Sequence, residues 1–355
     1  MSVLNKYLLR QNLFYTAVLL FSGTMVYLIV DFVGRMNAMV EAGLGPLQVL
    51  EYFVFKMPLI VAQTLPAIFM LGVLIQLAMM HRGNELVAME SSAISFRKPA
   101  VFFVGYALVV FLLLFVFSET LGVRGEQVTR QIWNQDVRDR EAAVEGLEDV
   151  WVKDRDYMIH IERAHIDQGR GKDFTAYKKS DPGMIQEIIK APEFEVHKNR
   201  LVLRDVTVFK PHSLERQSVQ EMEMEVKIDL RSFALVDSDL PYQAWSIFTL
   251  SALVNQLRES GAGVEKISTA LHSKIAYPFA LVVMTLLALA LFTLIKNIYF
   301  LVTLGLVIVF FYYTVYVFGV SYAEEGVTAP FVGAWTANLF FGSLSLLQIF
   351  WVDRR

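Results

Sequence analysis

The chain contains no cysteine. That excludes disulfides, thiolate nucleophiles and Cys-ligated metals, and it leaves the redox compartment undecided. Histidine is scarce too, with six residues at positions 81, 160, 165, 197, 212 and 272. None belongs to an HExxH string, and His160 and His165, five apart on an expected strand, face opposite ways and cannot share a metal. No sign of charge predominates: a formal net charge of −3 offers no basic surface for nucleic acid. The string GRGKD at residues 169–173 is too short for a P-loop, which needs four residues between its glycines and a Ser or Thr after the Lys. It reads as a turn. There is no GxSxG and no pair of acids inside a span, so no catalytic constellation emerges, and neither cofactor nor metal is expected.

What is abundant is apolar length. At 355 residues, 55% hydrophobic and 19% charged, the chain is too greasy for a purely soluble protein. A polytopic α-helical membrane protein is expected. Leu13–Val33 forms a first span, too long for a signal-peptide core and lacking a small-x-small cleavage site, so it reads as a retained anchor. After Gly43, Gly45 and Pro46, an amphipathic stretch covers Leu47–Lys56. The second span, Met57–Met80, contains Pro58 and Pro66, whose freed carbonyls require partners in neighbouring helices. Pro99–Ser118 is the third span.

Residues 119–274 hold no apolar run long enough to cross a bilayer. GEQVTRQIWNQDVRDREAA reads as a helix leaving the membrane. From Val150 apolar residues recur with period two: Tyr157, Ile159 and Ile161 share one face, Met158, His160 and Glu162 the other. Further alternating runs lie at Phe174–Lys178, Glu193–Val196, Leu201–Phe209 and Met222–Ile228, separated by SDPG and HKN turns. An antiparallel, jellyroll-like β domain is expected. Thr249 is placed to cap a helix from Leu250 to Ser260, ended by Gly261, and a second helix from Val264 returns to the membrane. Three more spans follow, Ile275–Ile295, Ile298–Val320 and Phe331–Val352. The expected domains are therefore 1–118, 119–274 and 275–355, three spans on either side of an insert, with no obvious internal repeat.

Orientation follows from the basic residues. With the N-terminus inside, the inner segments carry Lys6, Arg10, Arg82, Arg97, Lys98, Lys296, Arg354 and Arg355, while the outer short loops carry only Arg35 and Lys56. Both termini are thus expected in the cytoplasm and the β domain in a periplasm.

The most informative stretch is 81–98, HRGNELVAMESSAISFRK, the polar interruption between the second and third spans. At about 100° per residue from Glu85, Leu86, Val87, Met89, Ala93, Ile94 and Phe96 fall on one arc broken only by Glu90, while Glu85, Ser91, Ser92 and Ser95 fall opposite with Ala88. Such a helix lies along a membrane rather than crossing it. It reads either as a docking element or as an ordinary cytoplasmic loop. Other candidates are positional: Asp31, Arg35 and Glu119 at span edges, and Arg124 and Arg130 on the helix beyond, where a basic rim would suit an anionic amphiphile. Interface anchors and local ion pairs are the alternative. The run Phe310, Phe311, Tyr312, Tyr313 and Tyr316 is more often packing than lining, and Trp335 and Trp351 fit an interfacial belt.

Taken together, the layout and several strings resemble the YjgP/YjgQ permeases, the LptF/LptG family of the lipopolysaccharide export ABC transporter. NELVAMESSAIS from Asn84 resembles the family's coupling helix, GEQVTRQ from Gly125 the helix after the third span, DVWVKDRDYMIHIERAHI from Asp149 the start of its periplasmic jellyroll, and HSKIAYPF from His272 the approach to the fourth span. The tryptophan-bearing strand and ERxH string are more like the LptG branch. The resemblance implies a permease subunit of the bacterial inner membrane that pairs with a paralogous, LptF-like permease on a dimer of LptB-like cytoplasmic ATPases. Lipopolysaccharide would enter between the first span of one subunit and the fifth of the other and pass through the jellyroll to LptC/LptA-like bridge components. Glu85 would dock the ATPase, with Glu90 and Arg82 beside it. Arg35 and Arg130 would contact lipid phosphate, with Asp31, Arg124, Phe310 and Tyr313 as further gate candidates. Asp31 departs from the basic residue that some members carry there. A receptor or assembly scaffold with a ligand-binding β domain is the alternative, but it would need an output domain, and only loops and chain ends project inward.

Overall fold

A computed structural model of the chain describes residues 3–133, 146–154, 157–165, 170–180, 184–197, 200–211, 215–225, 244–260, 263–295 and 297–353. Two compact units emerge, one comprising Met1–Val137, Gln243–Ile247 and Ser268–Arg355, the other Arg138–Tyr242 and Phe248–Ile267.

The first unit is helical. Its elements are α1 (Val3–Glu41), α2 (Pro46–Arg82), the short α3 (Glu85–Ser91), α4 (Arg97–Phe117) and α5 (Val123–Ile132), a single π-helical turn at Ser118–Gly122 joining the last two. After the insert come α6 (Ile247–Ser260), which belongs to the second unit from Phe248 onward, and then α7 (Glu265–Leu294), within the first unit from Ser268, α8 (Ile298–Glu324) and α9 (Pro330–Asp353). Among the described residues, six helical stretches are long and apolar enough to span a membrane: α1, α2, α4 with α5, α7, α8 and α9, as expected. Their bounds are wider than the apolar runs. Residues 47–56, expected as a separate amphipathic stretch, are the first turns of α2, because the one strongly charged side chain facing the bundle there, Lys56, is neutralised by Asp31 of α1. At 39 residues and about 1.5 Å rise per residue, α1 extends well past a bilayer's apolar thickness of about 30 Å.

One apolar core is shared by α2 and α7, with Phe69, Met70, Leu74 and Leu77 meeting Leu281, Met284, Ala288 and Phe292. The Tyr277 hydroxyl donates to the Gln63 carbonyl of α2 at 2.5 Å, beside Ala62, whose carbonyl loses its N–H partner to Pro66. Two close approaches fix helix spacing. A Cβ on Gly125 would strike the Phe55 carbonyl, and Gly319 and Gly333 bring α8 and α9 into backbone contact.

The second unit carries β1 (Gly146–Asp154), β2 (Tyr157–His165), β3 (Arg170–Ser180), β4 (Met184–His197), β5 (Arg200–Lys210) and β6 (Glu215–Glu225), a six-stranded antiparallel meander in sequence order. The jellyroll-like expectation reaches beyond this sheet into residues 226–243, which lie outside the described residues, as do 134–143 of the expected emerging helix, the turns at 181–183 and 198–199, Gly261, Lys296, Arg354 and Arg355. Ile159, Ile161, Phe174, Ala176, Ile189 and Phe194 are buried on one face while Met158 is exposed, which is the alternation the sequence shows. Arg170–Asp173, expected as a turn, open β3 instead, because Arg170, Gly171 and Lys172 pair with β2 and β4.

Every strand pairing is interrupted at the same level: Asp149 with Glu162, Glu162 with Asp173, Asp173 with Pro192, Pro192 with Asp205 together with the adjacent Ala191 and Val206, and Asp205 with Gln220. Pro192 has no N–H to give, and Asp173 and Asp205 take left-handed backbone, φ 57 and φ 53. Across this row the buried positions step by three rather than two, from Ala191 to Phe194 and from Leu203 to Val206, so the same face stays inward on both sides of the break.

Candidate functional site

The expected docking stretch is a helix only from Glu85 to Ser91. His81 and Arg82 finish α2, and Arg97 and Lys98 begin α4. The expected 18-residue amphipathic helix is therefore shorter, and the cause is local. Ser91 and Ser92 hydroxyls bond back to the Ala88 carbonyl at 3.0 Å and 2.9 Å, competing with helix continuation. Ala93 then adopts φ 60, with Ala93 N–H on Glu90 O and Ile94 N–H on Met89 O, a Schellman closure in which alanine occupies the place glycine usually takes. Asn84, at φ 58, begins the element. Leu86 is buried in the bundle core, with Met89 and Phe96 packed against it, while Val87 is exposed. Phe96 stacks on Phe292 of α7 at 5.6 Å, so the elbow is fastened to the central helix.

Of the expected docking residues, Arg82 and Glu90 are exposed and Glu85 is half-buried. The Tyr7 hydroxyl on α1 donates to Glu85 Oε2 at 2.7 Å, which leaves Oε1 without a hydrogen bond among the described residues. Tyr7 is a partner the sequence did not disclose, since 78 residues separate the two.

At the other end of α1 the expected gate residues enter a charged cluster. Asp31 accepts from Arg35 Nε at 2.9 Å and from Lys56 Nζ at 2.6 Å, and Lys56 also donates to the Tyr52 hydroxyl at 3.2 Å. The Arg35 guanidinium lies 4.3 Å from the ring centre of Trp133. Arg130 pairs with Glu126 at 2.9 Å, and Arg124 is exposed. Three cations, Arg35, Lys56 and Arg130, thus face two carboxylates, Asp31 and Glu126, through ion pairs. Lys56, Tyr52 and Trp133 went unnoticed as members. The available signal was Asp31 itself, an acid at the end of an apolar run that needs a cation nearby. Phe310 and Tyr313 do not join this cluster: Phe310 is exposed, whereas Tyr313 packs against Tyr277 with its hydroxyl 3.5 Å from the Gln63 carbonyl.

Glu119 is an internal fastening. It pairs with Lys274 at 2.9 Å and accepts the Ile247 N–H at 2.7 Å. α6 accordingly starts at Ile247, before the expected cap at Thr249, because a carboxylate distant in sequence satisfies the first amide.

Six membrane-crossing helices interrupted after the third by an antiparallel β unit, with a helical elbow and a charged cluster at opposite ends of α1 and α2, define a multi-pass permease-type membrane protein. The chain belongs to the lipopolysaccharide export system permease LptF/LptG family, whose model matches residues 6–351. It is similar to the lipopolysaccharide export system permease protein LptG of Escherichia coli K12, 25% identical over 269 residues, 74% of this chain and 73% of that one. The same identity and coverage relate it to the LptG protein of Escherichia coli O6:H1, strain CFT073.

Proposed function

We propose that the chain is the permease subunit of an ATP-driven exporter that withdraws lipopolysaccharide from the outer leaflet of the inner membrane and hands it to a periplasmic bridge. In this reading both termini and α3 face the cytoplasm, the β unit stands in the periplasm, and residues 1–118, 119–274 and 275–355 act as two membrane parts around one receptacle. A separate cytoplasmic ATPase binds at Arg82, Glu85 and Glu90, and a second permease, paralogous to this one, completes the lipid path. The observation that carries the proposal is α3: a short element fastened to α2 and α7 that offers the free carboxylate oxygen of Glu85 and the exposed Glu90. The basic excess at the opposite end of α1 suits the phosphates of the cargo.

Two outcomes are expected. After mild-detergent purification, an ABC ATPase and a second permease co-elute with the wild-type chain, and Glu85→Lys loses most of the ATPase while remaining inserted; undiminished recovery removes Glu85 from docking. Arg35→Glu with Arg130→Glu lowers photo-crosslinking to lipopolysaccharide several-fold, and unchanged crosslinking removes both residues from the lipid path.

A further inference from the structure

α1 is attached to the bundle in an unusual way. Its buried side chains are Leu8, Asn12, Thr16, Thr24 and Met39, so three of the five are polar, while Phe14, Val18, Phe21, Val26 and Val30 point outward. Residues 8, 12 and 16 are spaced by four and share one face. That face meets small or polar positions of α2: Thr16 lies so close to Gly72 that a Cβ there would sit 2.7 Å from its hydroxyl. Asn12 Nδ2, Thr24 Oγ1 and Gln76 Oε1 find no partner among the described residues. Leu8 joins the bundle core and Met39 packs with Tyr52 and Ile132, so polar side chains occupy the middle of a seam whose two ends are apolar.

A directed hydrogen-bond chain crosses the inner end of this seam. Buried Gln76 of α2 donates through Nε2 to the Leu8 carbonyl at 3.0 Å and to Gln11 Oε1 at 3.4 Å. Gln11 Nε2 donates to the Tyr7 hydroxyl at 2.7 Å, and Tyr7 donates to Glu85 at 2.7 Å. Every donor points the same way, so the chain ends on the carboxylate, where a charge-assisted O–H···O bond is strongest. α3 is thereby tied to α1 by a polar link, in addition to its apolar contacts with the core.

We infer that Tyr7 is a positioning residue that transmits displacement of α3 to α1, so that force delivered at Glu85 moves the first span along its polar seam. The inference rests on the proposed docking of an ATPase at α3 and adds the route by which docking reaches the lipid path. Glu85 serves both ends, with Oε2 held by Tyr7 and Oε1 turned to the partner.

The absence of native cysteine allows labels to be placed singly. Spin labels at Val18→Cys on α1 and Val109→Cys on α4, both exposed, report movement of α1 in the complete complex with and without a trapped nucleotide. Tyr7→Phe, which removes one hydroxyl, is expected to keep the ATPase bound and hydrolysing within about two-fold of wild type while the nucleotide-driven change in the α1–α4 distance falls by half or more. An undiminished change overturns the inference. A second pair, Phe14→Cys and Val87→Cys, is measured on the permease with no ATPase present: the distance distribution is expected to broaden in Tyr7→Phe, and an unchanged width overturns the link itself. If wild-type chain recovers no ATPase, the proposed function fails separately, and the second pair still decides whether Tyr7 holds α3 to α1.

Discussion

Asp31 sets the character of its surroundings. It lies among apolar neighbours on α1, and without the Lys56 and Arg35 contacts its charge would be costly to bury. The dependence is mutual, since the Lys56 and Asp31 side chains are only 9% and 13% exposed. Asp31→Asn leaves a nearly buried ammonium without its carboxylate and is expected to cost about 3–5 kcal/mol. Lys56→Met added to Asp31→Asn is expected to restore most of that loss, as read by thermal unfolding in detergent; additive losses would show that the pair is not energetically coupled. At this scale the sequence was legible in kind and not in partner. Asp31, Arg35, Arg130 and Glu119 stand out as ions at span edges, but Lys56 on a separate helix, the amide of Ile247 and the phenol of Tyr7 are brought to them only by packing over long sequence separations.

Among the elements, α3 shows where local and periodic signals part. The apolar arc through Ala93, Ile94 and Phe96 is present in the sequence, yet the serine back-bonds and the left-handed turn at Ala93 end the helix before those residues can share its face. Alanine in that conformation costs about 1 kcal/mol or more, offset in part by the smaller unfolded-state entropy it has relative to glycine. Ala93→Gly is therefore expected to raise the melting temperature, with ATPase recovery unchanged; a fall in melting temperature would mean that Ala93 makes a contact worth more than its strain. The strands were more legible, because alternation is set by one buried face. What alternation alone did not disclose is the row from Asp149 to Gln220, where each strand spends an extra residue. Strings such as Ile189-Lys190-Ala191-Pro192-Glu193-Phe194 carry that three-residue step, and it becomes interpretable once the register shows the interruptions side by side.

For the molecule as a whole, the sequence announced six apolar runs and one polar insert, and the described residues hold six helices able to span a membrane and one antiparallel sheet. The apolar runs marked the membrane-buried middles of the helices and missed their ends, because helices continue past the bilayer wherever capping and ion pairs satisfy them. The chain supplies a tightly packed α2–α7 core, a first span seated on a polar seam, and an elbow joined to both. The central claim is that this bundle moves lipopolysaccharide with force received from a separate ATPase at α3. It is tested most directly by reconstituting the co-purified complex in proteoliposomes loaded with labelled lipopolysaccharide and measuring transfer to a soluble lipopolysaccharide-binding acceptor. Transfer is expected to require ATP and to fall at least ten-fold in Glu85→Lys. Transfer that proceeds equally without ATP, or equally well in Glu85→Lys, would contradict it.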